Sequence, residues 1–311
     1  MSVAWLFPGQ GSQAVGMAKD VLEASGAARA VFARVDRALG EPLSRLILEG
    51  PEADLTLTTN AQPALVATSA AILAAIRERF PGLPDPAFAA GHSLGEYSAL
   101  VASEALTLED AVRLVRARGR AMQDAVPAGL GAMAAVMSVD EATLAALCHE
   151  CAGEEIVSPA NYNAPGQIVI AGHAGAVSRV CDRVGAAKGK AIPLKVSAPF
   201  HCALMIPAAR ALEKELEQIR MSPPRFPIVA NFDARPNTDA ARAKALLVSQ
   251  VDGAVRWEQA IRFMHEAGVT AALEIGPGKV LSGLSKRIAK EMKVLSVSNI
   301  AAIDEVASFL S

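Results

Sequence analysis

A serine stands between two glycines in Gly91-His-Ser-Leu-Gly95, after the short apolar run Ala87–Ala90 and before a helical pattern. This is the most constraining local feature of the chain. A sharp turn from strand to helix strains the serine backbone, and side chains two positions either side of it would collide. The same turn exposes the hydroxyl of Ser93 and aims the next amide, that of Leu94, at a developing oxyanion near a helix N-terminus. An ordinary glycine-rich turn between strand and helix is the competing reading. The flanking strand and helix patterns favour a nucleophile.

Such a turn needs a sheet of the right kind. Val3–Phe7, Phe226–Phe232, Ala271–Ile275 and Val294–Val297 read as further strands, each beside a helical stretch, which predicts a parallel sheet covered by helices on both faces. The middle of the chain follows another order. Strands over 132–139, 156–161, 167–171 and 191–196 alternate with helices over 141–151 and 174–187 as β-α-β-β-α-β, the ferredoxin-like order. The expected fold class is α/β, with an α/β-hydrolase-like large domain from 1–126 and 202–311. A ferredoxin-like small subdomain over 127–201 is inserted into it.

Bulk properties narrow the function. The 311 residues are 52% hydrophobic and 20% charged, enough apolar surface for a sizeable core. Lys plus Arg total 30 against 32 Asp plus Glu, so no basic bias suggests nucleic acid or an anionic membrane. The apolar stretch 64–76 falls short of a spanning helix and reads as a core helix. The N-terminus lacks the basic start and long apolar run of a signal peptide. Four cysteines form neither a disulfide framework nor a metal-site spacing, and Cys148-x-x-Cys151 reads as core packing. A reducing cytoplasm, a monomeric state and the absence of any metal or cofactor are the corresponding expectations.

A serine nucleophile needs a base. His92 neighbours Ser93 and points away, His149 and His173 fall in the insert and are expected to face solvent, and His265 lies within a helix pattern. His201 follows the last strand of the insert, where the chain returns to the large domain. Elimination selects it. Arg118 is the second anomaly. Thr107-Leu-Glu-Asp110 reads as a capped start to a helix reaching about Val126, with Val115, Gly119 and Met122 on the apolar face. Arg113, Arg116 and Arg120 fall on the solvent side, but Arg118 falls within the stripe. It needs either an internal carboxylate, such as Glu96 or an aspartate, or the carboxylate of a substrate. The loop Phe7-Pro-Gly-Gln-Gly-Ser-Gln13 suits an oxyanion amide better than a phosphate. The Glu274-Ile-Gly-Pro-Gly-Lys279 turn requires no function.

Taken in order, Pro8–Gln13, Gly91–Gly95, Arg118-Gly119, Asn161-Tyr-Asn-Ala-Pro-Gly-Gln167, Phe200-His-Cys202 and Glu274–Lys279 resemble the malonyl-CoA:acyl carrier protein transacylases, from Phe7 to about Arg287. The resemblance implies Ser93 as the acylated residue and His201 as general base, with the main-chain carbonyl of Gln250 in place of a triad acid. It implies an oxyanion hole from the amides of Gln10 and Leu94, and Arg118 on the malonyl carboxylate. Gln62, His92, Asn161, Asn163 and Phe200 become pocket residues. The substrates would be malonyl-CoA and the phosphopantetheine thiol of acyl carrier protein, in fatty acid or polyketide synthesis. Phe200 stands where many housekeeping members have serine, and Ser249 where arginine is common. Lys188, Lys190 and Lys195 are candidates for docking an acidic carrier protein. The alternatives are a serine thioesterase or esterase, whose triad would run Ser, acid, His, and a silent carrier-binding module.

Overall fold

A computed structural model of the chain describes residues 2–311. Among them, ten strands occur in chain order: β1 (Val3–Phe7), β2 (Phe88–Gly91), β3 (Gly131–Met137), β4 (Val157–Ala164), β5 (Gln167–His173), β6 (Lys190–Pro193), β7 (Ile228–Val229), β8 (Pro236–Asn237), β9 (Ala271–Ile275) and β10 (Lys293–Val297). They form two sheets. The larger has the order β10-β9-β1-β2-β7-β8 and is parallel except for β8 at its edge.

Both faces of this sheet are buried, and alternate residues of its central strand go to different cores. Trp5 and Phe7 join the helices Gly26–Leu39, Thr58–Arg79 and Leu108–Asp124, while Ala4 and Leu6 join Trp257–Glu266 and Val280–Ile288. A strand buried on both sides carries apolar residues without alternation, as Val3–Phe7 does. The helix Thr58–Arg79 has 22 residues, longer than its apolar core suggested and long enough by length and composition to cross a membrane, but 78% of its apolar window is buried inside the fold.

The smaller sheet has the order β4-β5-β3-β6 and is antiparallel throughout. With helices Glu141–Ala152 and Ala174–Ala186 it completes the β-α-β-β-α-β order. One face packs on those helices through Val136, Ile168, Ile170, Leu144 and Val180. The other turns Met133, Ala160, Val169 and Ala171 into the main core. Cys148 and Cys151 are buried free thiols within this packing.

Two strands are shorter than the sequence pattern suggests. The run 226–232 contributes only Ile228–Val229, because Pro227 has no amide to donate and the Asn231 amide goes to the Glu96 carboxylate. The run 191–196 ends as a strand at Pro193, although the Leu194 amide still donates to the Met133 carbonyl at 2.9 Å. His173, expected in solvent, is half-buried and accepts the Ile156 amide at 2.9 Å.

Candidate active site

Ser93 sits at the C-terminal end of β2, the edge where parallel sheets place their reactive groups. Its φ of 51° is left-handed, a strained value for a residue with a side chain. The glycines permit it. A Cβ on Gly91 would lie 1.9 Å from the carbonyl of Gly95, and one on Gly95 would lie 2.2 Å from the carbonyl of Phe7.

The Ser93 hydroxyl lies 2.7 Å from Nε2 of His201, and Nδ1 of His201 lies 2.7 Å from the main-chain oxygen of Gln250. A carbonyl only accepts, so Nδ1 carries the proton and Nε2 is free to accept from the serine. Burial, reinforced by the charge of Arg118, pushes the His201 pKa down to about 3. The imidazole is therefore neutral at ordinary pH, the form a base requires.

Arg118 is 2% exposed. Gly119 makes this placement possible, since a Cβ there would meet the carbonyl oxygen of Thr58 at 2.8 Å and force apart the helices Thr58–Arg79 and Leu108–Asp124. The guanidinium donates to Gln62 Oε1 at 2.7 Å, to Gln250 Oε1 at 2.9 Å and to the Ser93 hydroxyl at 3.1 Å, with the ring of Tyr97 5.6 Å away. Among the described residues no carboxylate pairs with it. The expected internal candidate, Glu96, instead accepts from the Asn231 amide at 2.9 Å and from Gln250 Nε2 at 2.8 Å. Arg113 and Arg120 are exposed as expected, whereas Arg116 is half-buried against Glu41 and Asn60.

A cavity of about 350 Å³ opens over the serine, lined among others by Gln10, Gln62, His92, Arg118, Asn161 and Phe200 together with Ser93 and His201. Three expected site residues lie outside this lining. Leu94 is buried in the turn, Gln250 is fully buried beneath Arg118, and Asn163 is reached through His92, whose Nε2 is 2.8 Å from Asn163 Oδ1. His92 also packs on Trp257, and burial lowers its pKa. Neither the Gln10 nor the Leu94 amide donates to a protein acceptor among the described residues.

One residue and one side-chain role escaped the sequence reading of the site. Asn231 spans the nucleophile turn, and the Gln250 side chain joins Arg118 to Glu96. A buried polar residue just past the end of a parallel strand was the available signal for the first.

The profile of the acyl transferase domain matches residues 4–305, and a serine–histidine pair at the end of a parallel sheet, joined to a ferredoxin-like insert, accords with that class. The chain is 43% identical over 310 residues to the malonyl CoA-acyl carrier protein transacylase of Haemophilus influenzae, covering 99% of this chain and 98% of that one. It is 46% identical over 306 residues to the Bacillus subtilis protein of the same name, covering 97% and 95%. An acyl-carrier-protein-S-malonyltransferase from Bartonella henselae superposes with a TM-score of 0.97 at 46% identity, covering 100% of this chain and 99% of that one. A malonyl-transacylase solved in complex with its type II PKS acyl-carrier protein superposes with a TM-score of 0.96 at 43% identity, covering 99% of each chain. The chain belongs to the malonyl-CoA:acyl carrier protein transacylase family.

Proposed function

We propose that the chain moves a malonyl group from malonyl-CoA to the phosphopantetheine thiol of an acyl carrier protein, by way of a malonyl ester on Ser93. One observation carries the reading. A buried guanidinium with no carboxylate partner reaches to within 3.1 Å of the nucleophile. Burying such a charge unpaired costs several kcal/mol, and an acyl group bearing its own carboxylate supplies the missing partner.

His201 Nε2 takes the Ser93 proton as the oxygen attacks the thioester. The amides of Gln10 and Leu94 hold the oxyanion, and coenzyme A leaves as the thiol with the proton from His201. In the second half His201 takes the proton of the carrier thiol. The thiolate attacks the malonyl ester, and Ser93 recovers its hydroxyl as the thioester forms. The main-chain oxygen of Gln250 orients the imidazole throughout.

The names of the relatives support this substrate pair, and one neighbour is a complex with an acyl-carrier protein. Exposed Lys188, Lys190 and Lys195 follow one another from the turn before β6, through its first residue, to the segment after it, and Lys195 lines the cavity. They form a basic approach for the carrier protein. Intact-mass measurement after mixing with malonyl-CoA tests the proposal. One malonyl group should appear on the wild type and none on Ser93→Ala. Hydrolysis outrunning transfer when carrier protein is present would instead indicate a thioesterase.

A further inference from the structure

Glu96 takes no part in the mechanism above, yet it is 3% exposed and sits one helical turn from the nucleophile. Its Oε2 accepts the Asn231 amide at 2.9 Å and Gln250 Nε2 at 2.8 Å. The opposite end of the Gln250 amide, Oε1, accepts from Arg118 at 2.9 Å, and Nε2 also reaches the Ser93 carbonyl at 3.1 Å. A carboxylate and a guanidinium are thus held one primary amide apart, with the amide dipole aligned between them.

We propose that Glu96 is the positioning residue for Arg118, acting through the Gln250 amide to hold the guanidinium in place while leaving it free for the carboxylate of the acyl group. The inference rests on the malonyl reading above. A carboxylate in direct contact with Arg118 would occupy the fork that the substrate needs. With nothing to hold the Gln250 amide, its oxygen would be free to turn away and the guanidinium would lose that anchor. The amide spacer meets both demands. Its neutral oxygen anchors one N–H of Arg118, and the Glu96 oxygen behind it fixes which way the amide faces. Burial pushes the Glu96 pKa up to about 7, the cost of keeping this carboxylate away from a direct partner.

The test compares kcat/KM for malonyl-CoA and acetyl-CoA in wild type and variants, with a free pantetheine thiol as acceptor. Glu96→Ala removes the anchor and should lower the malonyl-to-acetyl ratio about tenfold or more, mainly through the KM for malonyl-CoA. Glu96→Gln keeps an oxygen able to accept both bonds and should hold the ratio within about threefold of wild type. A merely structural role would depress both thioesters alike and leave the ratio unmoved, which would overturn the proposal. Gln250→Leu keeps the main-chain carbonyl for His201 but cannot bridge, so it should lose the preference as Glu96→Ala does. It decides the matter if Glu96→Ala does not fold, and full selectivity in it would also overturn the proposal. In an Arg118→Ala background, Glu96→Ala should change the ratio no further. A wild type without malonyl preference would overturn the substrate reading itself, and this inference with it.

Discussion

Asn231 clasps the turn that carries Ser93: its side-chain oxygen accepts the Ser93 amide at 2.6 Å, and its nitrogen donates to the Gly91 carbonyl at 2.6 Å. A left-handed serine is held on both sides by one buried side chain from the turn that follows the neighbouring strand β7. Strain of this kind persists only where the surroundings over-determine it.

Asn231→Ala should therefore relax the turn. Two buried polar groups lose their partners, at a cost of about 1–3 kcal/mol each. The expected result is a lower midpoint of urea unfolding and a kcat reduced more than KM is raised. Steady-state kinetics beside a denaturation curve would check both.

Gly91→Ala and Gly95→Ala should fail outright, because the added methyl meets main-chain atoms 1.9 and 2.2 Å away and backbone cannot step aside. Ser93→Ala should fold normally and take up no malonyl group. Thermal melts and intact mass separate the two behaviours.

Arg118→Ala should shift preference from malonyl-CoA towards acetyl-CoA. Charge-assisted hydrogen bonds contribute about 1.5–3 kcal/mol, which corresponds to roughly 10- to 100-fold in kcat/KM. Unchanged selectivity would remove the carboxylate clamp from the mechanism.

The pH dependence follows from burial. With its pKa near 3, His201 stays neutral far below the 6.5 of a free imidazole, so kcat/KM should show no acid limb near 6.5. Between those values the unfolded chain binds a proton at this position that the native state does not, so the contribution to stability falls as the pH drops through that window. Glu96 runs the other way. Raised from 4.5 to about 7, it retains a proton that the unfolded chain releases, and its contribution falls as the pH rises through that window. Glu96→Gln should accordingly gain stability over wild type at pH 8 compared with pH 5, as read by urea unfolding at both.

Lys195→Glu should slow transfer to the carrier protein while leaving acylation by malonyl-CoA much less affected. Raising the salt concentration should narrow the gap. Stopped-flow acylation beside a gel assay of the loaded carrier would show it.

The site was legible where local rules are strict. Two glycines around Ser93 betray a turn that tolerates nothing else, Arg118 breaks the apolar stripe of its own helix, and the insert announces itself by its strand and helix order. The Gln250 carbonyl has no local signature and came only with the family resemblance. Asn231 was illegible because it acts on Ser93 across 138 residues of chain. Glu96, read as a candidate direct partner of Arg118, bonds instead to Asn231, 135 residues away, and to Gln250, which no local pattern reveals. Along the sequence Asn231 and Glu96 look like the end of a strand and the start of a helix. The overlong strand over 226–232 has the same origin, since hydrophobicity alone does not show that Pro227 withholds a hydrogen bond or that Asn231 is engaged elsewhere.

The histidine of this enzyme leans on the peptide backbone. A triad aspartate can be deleted by a single nucleotide change, but every residue placed at 250 would still present a carbonyl. The group that orients the His201 imidazole is thereby shielded from direct mutation. Damage at that position should reach His201 chiefly by displacing the helix Ala240–Asp252 that carries it.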